Sequence, residues 1–335
     1  MRTEIYGTFG PACDTEEILK QMIEVGMTGM RLNLSHTTLV ESKGMVENYH
    51  RAAKKQGIKP QILIDMQGPE LRVGKLKSPL VLEEDGTVSF GLDSTEAMQI
   101  PVPGEVLEVI EAGDEILLDD GKILVRVTEA SWSEKRFGAK VVRGGCLQSH
   151  KSVKIVGKNI TLPPLTEHDI ANIKVAKDYG VTALMQPFVS NGAQLREVRS
   201  ELKKYGAVEV QIFAKIENRI GVEHIEDILP EADVIIIARG DLGNDMPLWK
   251  LPSVQKQIEE ACHKVNKPYI VVTQMLASME RNPVPTRAEV SDIYHAVYHG
   301  AWGVMLTGET AVGKYPVDAI RYLASTAQVA KEDIV

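Results

Sequence analysis

Short apolar runs rich in Val, Ile, Leu and Met punctuate the chain, each bounded by turn residues and followed by a stretch with helical spacing. The runs are EIYGTF (4–9), MRLNLS (30–35), QILIDM (61–66), ALMQPF (183–188), VQIFAKI (210–216), DVIIIAR (233–239), YIVVTQ (269–274) and GVMLTGE (303–309). The run Val234–Ile237 is apolar on both faces, the pattern of a strand buried on both sides of a parallel sheet. Amphipathic helices fit the intervals. Three open with capping-box spacing: Asp14 with Glu17, Thr166 with Asp169, and Thr286 with Glu289. Strand–helix units repeated in this way predict an α/β chain folded as a (β/α)8 TIM barrel. The alternative, an open doubly wound sheet, is disfavoured because no Gly-rich turn follows the first strand.

One segment breaks the rhythm. From 74 to 157 the pattern is of short alternating strands and turn signals, as in EEDGTVSF, AGDEILLDDGKILVRV and EKRFGAKVVRGG. This predicts a small all-β domain inserted after the third strand. The expected organisation is a catalytic barrel of 1–73 and 158–335, with an inserted β-barrel lid domain at 74–157. The lid would sprout from the catalytic end and move relative to the barrel.

Composition changes this picture little. The 335 residues are 44% hydrophobic and 25% charged, with net charge −8. That balance leaves no electrostatic footprint for nucleic acid or an anionic membrane surface. Cys13, Cys146 and Cys262 fit neither a metal spacing nor a disulfide framework, which suits a reducing cytoplasm. No apolar run approaches a membrane span, and the first residues lack a signal-peptide pattern.

A barrel demands polar residues at the C-terminal ends of its strands. The second run carries Arg31, Asn33, Ser35 and His36. The third ends in Asp65, followed by Glu70 and Arg72. The fifth ends in Lys215, Glu217 and Asn218, and the sixth in Arg239, Gly240 and Asp241. The seventh ends in Thr273 and Gln274, and the eighth in Thr307, Gly308 and Glu309. Each has a plain structural reading. Arg31 or Arg239 would neutralise Asp65 or Glu309, Glu289 and Asp292 would be structural, and Asn218 would satisfy a turn. As a set they point to chemistry. Glu217 and Asp241, at adjacent strand ends, suit Mg²⁺ or Mn²⁺ held by two carboxylates with waters and ligand completing the shell. Lys215 shares a strand face with Glu217. A lysine beside a divalent ion stabilises a developing enolate or a moving phosphoryl group. Arg31 and Arg72 offer planar forks for phosphate or carboxylate.

These residues resemble one family, pyruvate kinase, over essentially the whole chain. GTFGPACDTEEILKQMIEVGMTGMRLNLSH, KIEN, ARGDLG, TQMLASM, PVPTRAEVSD and LTGETAVGKYP carry the resemblance. It implies phosphoryl transfer between phosphoenolpyruvate and ADP, giving pyruvate and ATP through a metal-stabilised enolate. Glu217 and Asp241 would hold Mg²⁺, and Lys215 would stabilise the phosphoryl group and enolate. Gly240 and Thr273 would contact the three-carbon substrate. Arg31 and Arg72 would hold phosphate. Asn33, His36, Arg72 and Lys151 would serve the nucleotide. Asn33, Ser35, Asp65 and the Met66 carbonyl would form a K⁺ site, with Glu70 where K⁺-dependent members have Glu. The resemblance further implies a short form without the family's C-terminal regulatory domain, a cytoplasmic setting, and a possible homo-oligomer.

The chain departs from the family pattern at several points. Met66-Gln67-Gly68 stands where Thr-Lys-Gly is usual. His150-Lys151-Ser152-Val153-Lys154 replaces a Lys-Lys-Gly-Val-Asn run, and Pro187-Phe188-Val189-Ser190 replaces Ser-Phe-Val-Arg. Thr37 follows the Ser-His pair in place of Gly. These changes keep in play a metal-dependent lyase or tautomerase acting on a pyruvate-like 2-oxo acid at the same enolate site. A non-catalytic binding paralogue is the third alternative, opposed by the survival of Lys215, Glu217, Asp241 and Thr273.

Overall fold

The computed structural model describes all residues except 1, 36, 93–98, 120, 132–134, 159, 161 and 335. Its contacts divide the chain into two compact units, one of residues 1–68 with 163–335 and one of residues 69–162. The second unit runs slightly beyond the 74–157 insertion at both ends. Val73 N–H donates to the Lys151 carbonyl and Val153 N–H to the Leu71 carbonyl, so the segments entering and leaving it are hydrogen-bonded together.

The first unit is a closed parallel barrel. Its strands are β1 (Glu4–Thr8), β2 (Gly29–Asn33), β3 (Gln61–Asp65), β4 (Ala183–Gln186), β5 (Gln211–Ile216), β6 (Val234–Ala238), β7 (Tyr269–Val272) and β8 (Gly303–Met305). β1 closes the ring by pairing with both β2 (Tyr6 opposite Gly29) and β8 (Glu4 opposite Gly303). The two-residue strand period explains the core. Leu63, Met185, Phe213, Ile236 and Ile270 fill the barrel, while the alternate Ile64, Leu184, Ile212, Ile235 and Val271 pack outward with the helices. Of the expected helix starts, Thr166 with Asp169 and Thr286 with Glu289 form complete capping boxes. The first differs. The cap there is Thr15, whose side chain accepts from Ile18 N–H, one residue after the expected Asp14. Among the described residues, no helix is long and apolar enough to cross a membrane.

Asp169 does more than cap. It is fully buried. One carboxylate oxygen accepts from Gln67 N–H (2.8 Å), and the other from Gly68 N–H (3.0 Å), Thr166 N–H (2.9 Å) and the Thr166 hydroxyl (2.9 Å). Asp169→Ala leaves these donors buried without an acceptor, so a stability loss of about 3–5 kcal/mol is expected in urea titration. A loss under about 1 kcal/mol would show that water reaches them.

Among its described residues, the second unit is all-β apart from the short helix Gly104–Val109. Its six-stranded sheet runs, in spatial order, Val153–Ile155, Glu115–Leu118, Ile123–Ser131, Arg136–Arg143, Thr87–Gly91 and Gln99–Pro101. A separate pair joins Leu80–Leu82 to Gly145–Leu147. Phe90 and Phe137 stack at 4.6 Å within the unit's own apolar core.

Candidate active site

Four side chains converge at the C-terminal end of the barrel strands. Arg31, on β2, donates through Nε (2.9 Å) and Nη2 (2.6 Å) to Asp65 Oδ2, and through Nη1 to the Thr8 hydroxyl (3.3 Å). Asp65 is the last residue of β3. Its other oxygen lies 3.3 Å from Lys215 Nζ on β5, which is in turn 3.1 Å from Glu217 Oε2 just past the strand. The order Arg31, Asp65, Lys215, Glu217 thus alternates in charge. Of the structural readings for the arginines, Arg31 does neutralise Asp65. Arg239 instead pairs with Asp292 (2.7 and 2.8 Å) and donates to the Thr273 carbonyl (3.0 Å).

Burial makes these charges consequential. Burial alone would lower the Lys215 pKa, but Asp65, Glu217 and Asp241 raise it above the ordinary lysine value. Lys215 is therefore a fixed ammonium, suited to stabilising negative charge and unsuited to giving up a proton. Burial would raise Asp65, but Lys215 and Arg31 hold it below the usual carboxylate range. Glu217 goes the other way. Burial is the main cause, Asp241 and Asp65 add to it against the opposing pull of Lys215, and its pKa is pushed up to about 7. Burial and the neighbouring carboxylates thus move Glu217 opposite to Asp65.

The two oxygens of Glu217 differ in their partners. Oε1 accepts from Phe188 N–H at 2.7 Å, while Oε2 is buried with no hydrogen bond. Asp241 sits in the first turn of a short helix, Arg239–Asn244, directly after β6, and is exposed. Among the described residues, no group of three or more His, Cys, Asp or Glu side chains could hold a metal ion. A site of two carboxylates completed by water and ligand falls below that count. Glu217 Oε2, paired only with the Lys215 ammonium at 3.1 Å and otherwise without a hydrogen bond, fits such a cation.

The end of β7 is strained. The strand stops at Val272, short of the expected 274, because Thr273 (φ 81°) and Gln274 (φ 57°) turn left-handed. For a β-branched residue this is a genuine outlier, and such strain collects at functional sites. Gly240 faces it, since a Cβ there would lie 3.0 Å from Thr273 Cγ2. The glycine lets the ends of β6 and β7 approach. Glu309 lies in a short helix after β8, where its buried carboxylate accepts from Leu276 N–H (3.0 Å) and Thr307 N–H (2.8 Å). Asn218 caps the short helix Arg219–Glu223 that follows β5 by accepting from Gly221 N–H. Both are structural.

Of the residues expected at K⁺, Asn33 Oδ1 accepts from Ser35 N–H (3.1 Å), and both Asp65 oxygens face the cations already named. Met66 is buried and its N–H donates to the Met185 carbonyl, continuing β3 by one bond. Asp65 Oδ1 already has the Lys215 ammonium 3.3 Å away as its cation. His36 lies outside the described residues. Arg72 and Lys151 belong to the second unit. There Arg72 pairs with Glu70 and donates to the His150 carbonyl (2.8 Å). Lys151 lies 2.9 Å from Asp119 Oδ1, and Lys122 lies 3.0 Å from Oδ2.

The sequence matches the family model described as pyruvate kinase, barrel domain, over residues 1–320. The chain belongs to the pyruvate kinase family. It is 37% identical to pyruvate kinase of Geobacillus stearothermophilus over 331 residues, 97% of this chain and 56% of that protein. It is 36% identical to that of Bacillus licheniformis over 340 residues, 99% of this chain and 57% of the relative. The Staphylococcus aureus (strain MRSA252) enzyme is also 36% identical, over 99% of this chain and 58% of its own length. The chain thus spans a little over half the length of these relatives.

The departures from the pyruvate kinase pattern can now be placed. Gln67 Oε1 accepts from the Thr166 hydroxyl at 3.2 Å, so this residue serves the Asp169 cluster. Pro187 packs on Gly68. Sequence reasoning missed two participants. Thr8 orients Arg31 and Phe188 N–H holds Glu217. Asp292, read as structural, holds the arginine behind Thr273.

Proposed function

We propose that the chain catalyses phosphoryl transfer between phosphoenolpyruvate and ADP, yielding pyruvate and ATP. The observation that carries this reading is Lys215, whose ammonium is held between Asp65 and Glu217 at the mouth of the barrel. The P–O bond of phosphoenolpyruvate breaks, the phosphoryl group joins the terminal oxygen of ADP, and the remaining enolate takes a proton at carbon to give pyruvate. Lys215 and Arg31 supply fixed positive charge to the phosphoryl group and the enolate oxygen without reorganising. Thr273 belongs to the proton relay in this reading. Glu217 and Asp241 would hold Mg²⁺ or Mn²⁺. Such an ion, when bound, offsets negative charge on the substrate. Asn33, Ser35, Asp65 and the Met66 carbonyl would hold K⁺. Arg72, Lys151, Asn33 and His36 would serve the nucleotide, Gly240 the substrate, and the setting would be cytoplasmic.

A second reading is a lyase or tautomerase on a pyruvate-like 2-oxo acid. It is favoured by Pro187, an apolar ring where the family pattern has Ser, beside an enolate-stabilising set that is intact. Turnover with phosphoenolpyruvate, assayed with and without ADP against a panel of 2-oxo acids, separates the two. Nucleotide-dependent pyruvate formation supports the first, and turnover of an oxo acid without nucleotide replaces it.

The Glu217 pKa of about 7 has a consequence. Below that value a divalent ion must displace a proton from this carboxyl; above it, none. Divalent affinity should therefore fall as pH drops below about 7 and level off above it, with proton release on binding only on the acid side. Mn²⁺ titration across pH checks this, and a flat profile would contradict it.

A further inference from the structure

We propose that Gly68 and Pro187 are positioning residues for Glu217, acting through the backbone N–H of Phe188. The inference rests on the reading of Glu217 as a cation ligand. Asp169 fixes the turn after β3 by accepting from the N–H groups of Gln67 and Gly68. Gly68 is left-handed there (φ 63°). A Cβ on it would overlap Pro187 Cγ and come within 3.1 Å of Cδ. The proline ring therefore rests directly on the glycine backbone. Pro187 has a fixed φ and no N–H. Phe188, which follows, is left-handed (φ 52°), a costly conformation for a bulky side chain that persists only where its surroundings enforce it. The Ser190 hydroxyl donates to the Phe188 carbonyl (3.2 Å) and secures the far side of the turn.

The product of this turn is one hydrogen bond. Phe188 N–H donates to Glu217 Oε1 at 2.7 Å, while Oε2 has no hydrogen bond. One oxygen is thereby claimed by the backbone and the carboxylate is held in a single orientation, with the other oxygen turned toward Lys215 Nζ (3.1 Å), where a cation would share it. Groups that orient a metal ligand in this way typically carry about 10–100-fold of metal affinity.

The test is Mn²⁺ binding to the full chain, followed by electron paramagnetic resonance without substrate, alongside thermal melting. Gly68→Ala drives its methyl into the proline ring, and Mn²⁺ should bind about tenfold more weakly or worse. Pro187→Ala removes the ring without a clash, and should also weaken Mn²⁺ several-fold with little change in melting temperature. It carries the test if Gly68→Ala does not fold. The double variant makes room for the methyl, and should recover part of the affinity lost by Gly68→Ala. Lowered melting with Mn²⁺ affinity unchanged in these variants would overturn the inference. Glu217→Gln separates the two layers. If it abolishes Mn²⁺ binding while the turn variants bind normally, the positioning role fails and the ligand reading stands. If it too binds normally, the ligand reading fails and takes this inference with it.

Discussion

Lys215→Met lowers turnover of phosphoenolpyruvate with ADP by about 10²–10³-fold at saturating substrate and cation, the range that loss of one preorganised donor to developing charge costs. Methionine keeps most of the length and none of the charge. Arg31 still neutralises Asp65 through two hydrogen bonds, so the effect falls on the phosphoryl group and the enolate. It should appear in kcat more than in KM, because the charge these groups develop is greatest in the transition state. Lys215→Arg should not rescue it. A planar fork cannot sit between Asp65 and Glu217 as a compact ammonium does. A coupled assay of pyruvate formation reads the change, and a loss under tenfold would remove Lys215 from the chemistry.

Glu217→Gln raises the Mg²⁺ concentration needed for half-maximal turnover by at least about 100-fold, the upper end of what losing a mere outer-shell partner costs. The amide keeps an oxygen but loses the charge. Asp241→Asn should act in the same direction. The substitution has a second signature in stability. The Glu217 pKa is raised in the folded chain from 4.5 to about 7, chiefly by burial. The folded state therefore holds a proton that the unfolded state has released between those values. This carboxyl's contribution to stability is whole below about pH 4.5 and is lost as pH rises through about 7. Glu217→Gln removes that slope, which urea titrations at several pH values would show. An unchanged Mg²⁺ requirement would refute the ligand role.

The barrel was legible because its strands are short β-branched runs spaced by amphipathic helices, and all the runs read from sequence became strands. Their ends were less so. Periodicity carries Thr273 and Gln274 along β7, yet their backbone turns left-handed, and no apolar pattern records a dihedral angle. The charged side chains of the site were visible as polar residues interrupting apolar strands. The partner of each was not. Arg239 could have met Asp65 or Glu309 on charge alone, and only the placement of helix Arg287–Tyr298 brings Asp292 to it. Asp169 was legible as a cap by its spacing from Thr166. Its hold on Gln67 and Gly68, about a hundred residues earlier in the chain, needs the fold. Phe188 N–H left no trace, since every residue but proline has one.

The account stands most directly on one measurement: ³¹P NMR of a mixture of the chain with phosphoenolpyruvate, ADP, Mg²⁺ and K⁺. Loss of the phosphoenolpyruvate resonance should be matched one for one by gain of the ATP γ-phosphate, should stop on chelation, and should be nearly absent with Lys215→Met. A folded, Mn²⁺-binding chain that leaves phosphoenolpyruvate intact, or consumes it equally well without ADP, would contradict the proposed phosphoryl transfer.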